Sequence, residues 1–139
     1  MIEPLVAPTH VDLLEQGGIA VLSTIGRGGD IQSSVIWFDH HQGLIRVNTT
    51  ETSVKARNLA RDPRATVVVL DLTNTDRYLT LRCTLERAER EGAIEHLDRL
   101  TRANMDADRW YGGAVADDPE ERARRVILCL RPQRVYVAS

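Results

Sequence analysis

Between residues 19 and 88 the sequence repeats one pattern: short apolar, β-branched runs, long enough for strands and separated by turn residues. Ile19 to Ile25 is such a run, and Arg27, Gly28, Gly29 and Asp30 supply a turn before the next, Ile31 to Asp39. A turn at His40 to Gly43 leads into Leu44 to Thr50, where Leu44, Arg46, Asn48 and Thr50 face opposite to Ile45, Val47 and Thr49. These three strands form a meander. Ala65 to Leu72 contains Thr66, Val67, Val68, Val69 and Leu70, and the continuous β-branching there predicts burial on both faces. Tyr78 to Ala88 alternates Leu79, Leu81, Cys83 and Leu85 with polar residues, so one face turns inward. Arg125 to Leu130 and Arg134 to Ala138 read as two closing strands parted by Arg131, Pro132 and Gln133. About seven strands in mostly hairpin order favour a small barrel over a doubly wound parallel sheet.

Helices are few and short. Thr9 caps one that Gly17 and Gly18 stop, with Val11, Leu14 and His10 on one side. Ser53 caps another that ends near Arg61, because Asp62-Pro63 restricts the residue before the proline. From Glu91 to Asp106 the spacing of Ile94, Leu97, Leu100 and Met105 predicts an amphipathic helix, read as a lid over one barrel end. Asp108 to Glu121 mixes Trp110, Tyr111, glycines, acids and Pro119 and reads as a loop with one helical turn. The whole is mainly β, an α+β split barrel with short helices, and its 139 residues suit a single domain over 1–139.

Several function classes find no support. The formal charge is −2 with acids and bases interspersed, so no broad basic surface for nucleic acid is indicated. None of Ser23, Ser33, Ser34 or Ser53 sits in a GxSxG elbow, and the four histidines lack metal-site spacing, so neither a catalytic nucleophile nor a metal is expected. No GxGxxG or GxxxxGK[ST] is present. Cys83 and Cys129 have no CxxC spacing and read as reduced core thiols. Met1-Ile2-Glu3-Pro4 begins no targeting segment and no run approaches a membrane span, so the expectation is a soluble cytoplasmic protein.

The chemically informative stretch is Thr49-Thr50-Glu51-Thr52-Ser53-Val54-Lys55-Ala56-Arg57-Asn58-Leu59, which passes from a strand end through hydroxyls into a helix start. Free backbone N–H groups, the positive end of the helix dipole, hydroxyl donors and the charges of Lys55 and Arg57 together suit an anion. Lys55 in a first helical turn is itself unfavourable by roughly 0.3 to 1 kcal/mol at low salt unless an anion offsets it. Spacing alone does not choose between this reading and two solvated surface charges. A second candidate is Gln32-Ser33-Ser34-Val35-Ile36-Trp37-Phe38, where small polar residues admit a flat ring beside the backbone and Trp37 gives an apolar wall. The alternative is ordinary strand alternation with a core tryptophan.

Taken together, Ala20-Val21-Leu22-Ser23-Thr24 with the Gly28-Gly29 turn, Val35-Ile36-Trp37-Phe38, Lys55-Ala56-Arg57-Asn58-Leu59-Ala60-Arg61-Asp62-Pro63-Arg64-Ala65 and Arg131-Pro132-Gln133-Arg134-Val135 resemble the pyridoxamine 5′-phosphate oxidase-like split-barrel superfamily. Within it they are similar to the small actinobacterial-type deazaflavin-dependent oxidoreductases. The resemblance implies an FMN-binding-like barrel and a homodimer that holds coenzyme F420 between protomers and passes hydride to a small conjugated organic acceptor. The implied cofactor contacts are Gln32, Ser33, Ser34, Val35 and Trp37 on the strand, Asn48, Thr49, Thr50, Ser53, Lys55, Arg57 and Asn58 around the helix start, and Tyr78. The other subunit would cover the ring with the loop before Tyr78. No dedicated catalytic residue is implied, since the cofactor carries the hydride chemistry, and the proton comes from solvent or Tyr78. FMN is the alternative cofactor, and a non-catalytic flavin, deazaflavin or tetrapyrrole binder the alternative role. Two departures stand out: Cys83 occupies a place where such chains often carry glycine, and the Arg-x-His of true pyridoxamine phosphate oxidases is absent near the carboxyl end.

Overall fold

The computed structural model describes residues 6–138. Met1 to Pro4, read above for a targeting segment, lie outside the described residues. Among those described, no helix is long and apolar enough to cross a membrane.

Helix α1 (Val11–Glu15) precedes β1 (Gly18–Ile25), which pairs with β2 (Ile31–His41) from Gly18 opposite Phe38 to Ile25 opposite Ile31. β2 continues through His40 and His41 to pair them with Ile45 and Leu44 of β3 (Leu44–Thr50). The turn expected over His40 to Gly43 is therefore only Gln42 and Gly43, both at positive φ (51° and 78°), the geometry that lets a two-residue hairpin follow the strand twist. Then come α2 (Val54–Arg61), β4 (Arg64–Leu70), β5 (Tyr78–Glu89), α3 (Ala93–Asn104), α4 (Pro119–Arg122) and β6 (Arg125–Ala138). β6 pairs with β3 on one side and β5 on the other, closing an antiparallel barrel in the order β1-β2-β3-β6-β5-β4.

Three expectations need correction. The two closing strands are one, so the barrel has six strands rather than about seven. Arg82 pairs with Arg134 but Cys83 with Pro132, leaving Gln133 as an extra residue; the proline, which has no N–H to donate, sits at this irregularity instead of ending the strand. Cys83 itself packs in the barrel core, where its side chain is accommodated. Second, the strand buried on both faces is β6 and not β4. In β4 only Ala65, Val67 and Val69 are buried, while Thr66, Val68 and Leu70 are partly open. In β6 every residue from Val126 to Leu130 is buried: Val126, Leu128 and Leu130 join the barrel core, whereas Ile127 and Cys129 pack with Leu44 and Ala93. Third, α3 thus covers the outer face of β3 and β6 rather than a barrel end. Gly92, at positive φ, opens that helix, and Met105 leaves it in extended conformation, 41% exposed; His96 and Thr101 share the buried face instead.

Leu13 and Leu14 of α1 and Leu59 of α2 enter the barrel core. Asn58 locks α2 to β1, its amide nitrogen donating to Thr24 Oγ1 at 3.1 Å.

Candidate functional site

The end of β3 turns into α2 through Thr50, whose carbonyl accepts from the Ser53 N–H at 3.1 Å. Ser53 is the N-cap, extended in backbone, with its Oγ accepting from the Ala56 N–H at 3.2 Å. This is the cap chemistry that the sequence indicated. Beside the helix start opens a cavity of about 330 Å³. Ile19, Val35, Ile36 and Trp37 form its wall from β1 and β2; Asn48 and Thr49 come from β3, Lys55 from α2, Leu97 and Leu100 from α3, Trp110 from the loop before α4, and Arg125 from the start of β6. The Trp37 and Trp110 rings meet edge to face, with centroids 5.8 Å apart at 88°.

The sequence-derived candidates divide into three groups. Val35, Trp37, Asn48, Thr49 and Lys55 come together on the cavity wall. Thr50, Ser53 and Asn58 flank these residues in the sequence without lining the cavity, the last two committed to the fold: Ser53 as cap, Asn58 buried between Thr24 and Arg61. Gln32, Ser33, Ser34, Arg57 and Tyr78 are not part of it. The Ser33 hydroxyl pairs with that of Ser23 at 2.8 Å. Arg57 is exposed, because two residues along a helix place it roughly opposite Lys55. Tyr78 pairs with Ala138 at the far end of β6 from Arg125.

Arg125 takes the place that the sequence suggested for Arg57, and nothing local announces it. It reaches the cavity because β3 and β6 pair, Thr50 opposite Arg125. Its side chain is 12% exposed; Nε donates to the Tyr111 hydroxyl at 2.9 Å, Nη1 to Asn48 Oδ1 at 3.4 Å, and Nη2 lies 3.8 Å from Glu121 Oε2. Tyr111 in turn donates to Glu121 at 2.6 Å. Among the described residues, Lys55 has no carboxylate within ion-pair distance. Burial first, and then the neighbouring Arg125 charge, push its ammonium below the usual lysine range. Two cations at one wall, with a single acid reaching only one of them, fit a ligand that brings negative charge.

Behind this wall lies a buried polar chain. His96 is fully buried; its Nε2 is 3.2 Å from Asp39 Oδ1 and its Nδ1 is 3.1 Å from Asn48 Nδ2. Asn48 Nδ2 also donates to the Ala93 carbonyl at 2.8 Å. Asp39 receives both Nε and Nη2 of Arg46, at 2.8 and 2.7 Å. A larger cleft of about 420 Å³ over β1, β4 and β5, with Ser23, Thr66, Arg82 and Gln133 on its walls, contains none of the helix-start residues.

A closed antiparallel barrel of six strands with a few short helices is the split-barrel architecture. The chain belongs to the pyridoxamine 5′-phosphate oxidase family, whose sequence profile matches residues 6–139. Among solved structures it is similar to an F420 reductase, at 26% identity and a TM-score of 0.80, over 94% of this chain and 98% of that one. It also shares its fold with a putative pyridoxamine 5′-phosphate oxidase from Listeria innocua (17% identity, TM-score 0.67, 91% and 93% of the two chains). A third likeness is to HutZ, the heme storage protein from Vibrio cholerae (16% identity, TM-score 0.66, 94% and 93%).

Proposed function

We propose that this protein is an oxidoreductase that binds reduced coenzyme F420 at the cavity beside α2 and delivers hydride to a small conjugated organic acceptor. The observation that carries the reading is Lys55: half-buried, with no carboxylate partner among the described residues and next to a second cation, it is stable in that place when an anion joins it. The similarity to an F420 reductase supports the deazaflavin over other phosphate-bearing groups. When bound, the cofactor supplies the hydride. The protein's own residues do the rest. Lys55 and Arg125 hold negative charge, Trp37 and Trp110 offer flat apolar surface, and Leu97, Leu100 and Ile19 keep water from the wall. No acidic or basic side chain of the cavity is asked to do chemistry.

The proposal includes a homodimer. Tyr78 lies too far along the barrel to touch its own cavity, so the cover expected from its loop comes from a second copy. A tetrapyrrole-binding role has less to build on, because no histidine is among the residues lining the cavity.

The test is a titration of the purified protein with coenzyme F420 and with FMN, followed by fluorescence. Expected is saturable F420 binding, weakened in Lys55→Ala by about 10- to 150-fold, the equivalent of one charge-assisted hydrogen bond of roughly 1.5 to 3 kcal/mol. Tight retention of FMN with no response to F420 would reassign the cofactor. Equal affinity of wild type and Lys55→Ala would move the anion elsewhere.

A further inference from the structure

We infer that His96, which does not line the cavity, is the positioning residue for the anion site: through Asn48 it fixes how the Arg125 guanidinium is presented. The inference rests on the cavity being an anion site. The direction of each hydrogen bond around Asn48 is fixed by its partners. The Ala93 carbonyl can only accept, so the Asn48 atom 2.8 Å from it is the amide nitrogen. That same nitrogen faces His96 Nδ1 at 3.1 Å, so Nδ1 accepts. Nε2 therefore carries the proton and donates to Asp39, an acceptor already charged by its pair with Arg46. With both amide hydrogens used, the Asn48 oxygen has one direction left, toward Arg125 Nη1 at 3.4 Å.

The donors thus run in one sense: Arg125 to Asn48, Asn48 to His96, His96 to Asp39. A reversed Asn48 amide would set its NH₂ against the guanidinium and its oxygen against both the Ala93 carbonyl and His96 Nδ1, so the imidazole acts with that carbonyl to hold the amide in the orientation Arg125 needs. Tyr111 and Glu121 fix the opposite edge of the guanidinium. The remaining N–H groups of this five-donor fork are then presented beside Lys55. Packing of α3 alone would be served as well by an apolar residue at 96, between Ala93, Leu97 and Leu100 on the same buried face.

Two substitutions separate the halves of the imidazole. His96→Asn keeps an acceptor where Nδ1 stands and loses the reach to Asp39; His96→Gln keeps a donor where Nε2 stands and loses the acceptor for Asn48. The first measurement needs no cofactor: a ¹H–¹⁵N spectrum of the full chain at neutral pH. We expect His96 as the Nε2–H tautomer and a slowly exchanging Arg125 Nη1–H, the donor to Asn48, that persists in His96→Asn and is lost in His96→Gln. The second is the F420 titration with melting temperatures alongside, where His96→Gln binds about tenfold more weakly while His96→Asn stays within about threefold of wild type, whatever their melting temperatures. An Nδ1–H tautomer, or two variants that lose affinity equally and in step with stability, overturns the inference. If the spectra behave as expected and wild type binds neither F420 nor FMN, the positioning of Arg125 by His96 stands and the cofactor reading falls.

Discussion

Asp39 shows how much of this cavity wall depends on a residue that lies behind it. Burial alone would raise its carboxyl, but hydrogen bonds from His96 and Arg46, with the Arg46 charge, outweigh that and hold it well below the usual carboxylate range. A carboxyl whose folded pKa is depressed contributes stability above its unfolded pKa, near 4, and that contribution is lost as pH falls from there through the folded value. Asp39→Asn would leave Arg46, only 14% exposed, without its counter-ion, at a cost of about 2 to 4 kcal/mol at neutral pH. Urea denaturation at pH 7 and pH 3 checks both parts: a large gap between wild type and variant at pH 7 that narrows at pH 3. A constant gap would place the stabilisation in packing rather than in the ion pair.

At the scale of elements, strands with regular alternation were legible because period-two burial is written residue by residue, as in Leu79, Leu81 and Cys83. Pro132 was read as parting two strands, whereas it sits at a bulge within one, since only the partner strand reveals where an extra residue goes. The same blindness exchanged β4 and β6: an apolar run states that both faces can be buried, not which helix covers the second one. Of the site, the half within residues 35–55 was legible and the other half was not. His96, Trp110 and Arg125 arrive from a helix, a loop and a strand that no local spacing ties to Lys55; only Trp110, a large aromatic in a glycine-bearing loop, carried a signal. That loop gives its own prediction. A Cβ at Gly113 would lie 2.3 Å from the Arg109 carbonyl oxygen and 2.9 Å from its Cγ, so Gly113→Ala forces the backbone that carries Trp110 to shift. Overpacking of this kind costs about 1 to 3 kcal/mol, here borne by the loop. Near-ultraviolet circular dichroism should lose the Trp37–Trp110 contribution and F420 affinity should drop, while the far-ultraviolet spectrum of the barrel stays unchanged. An unaltered tryptophan signal would mean the loop absorbs the methyl group without moving Trp110.

For the whole molecule, the barrel leaves one face that a solitary chain has little reason to keep apolar. Pairing sets Val21 of β1 between Val35 of β2 and Val68 of β4, with Ile25 opposite Ile31 and Ile19 opposite Trp37. Ile31 is 74% exposed and Val35 72%, and Val21 and Val68 are only half-buried, so the row is contiguous across three strands and uncovered. Contiguous apolar patches of this sort mark interaction surfaces, and the proposed second copy would satisfy two requirements at once: it would cover the row, and it would bring a Tyr78 loop to a cavity that its own chain's Tyr78 does not reach. Val68→Lys tests this away from the cavity, since the side chain lies at the β4 end of the row and lines no part of the site. Across a two-fold axis it would bury two like charges, each costly to desolvate without a partner. Sedimentation at micromolar concentration should give a dimer for wild type and a monomer for Val68→Lys, with the far-ultraviolet spectrum preserved and F420 affinity lost along with dimerisation. A variant that is monomeric yet binds F420 as wild type does would show that each chain holds its cofactor alone, and a monomeric wild type would remove the second copy from the proposal altogether.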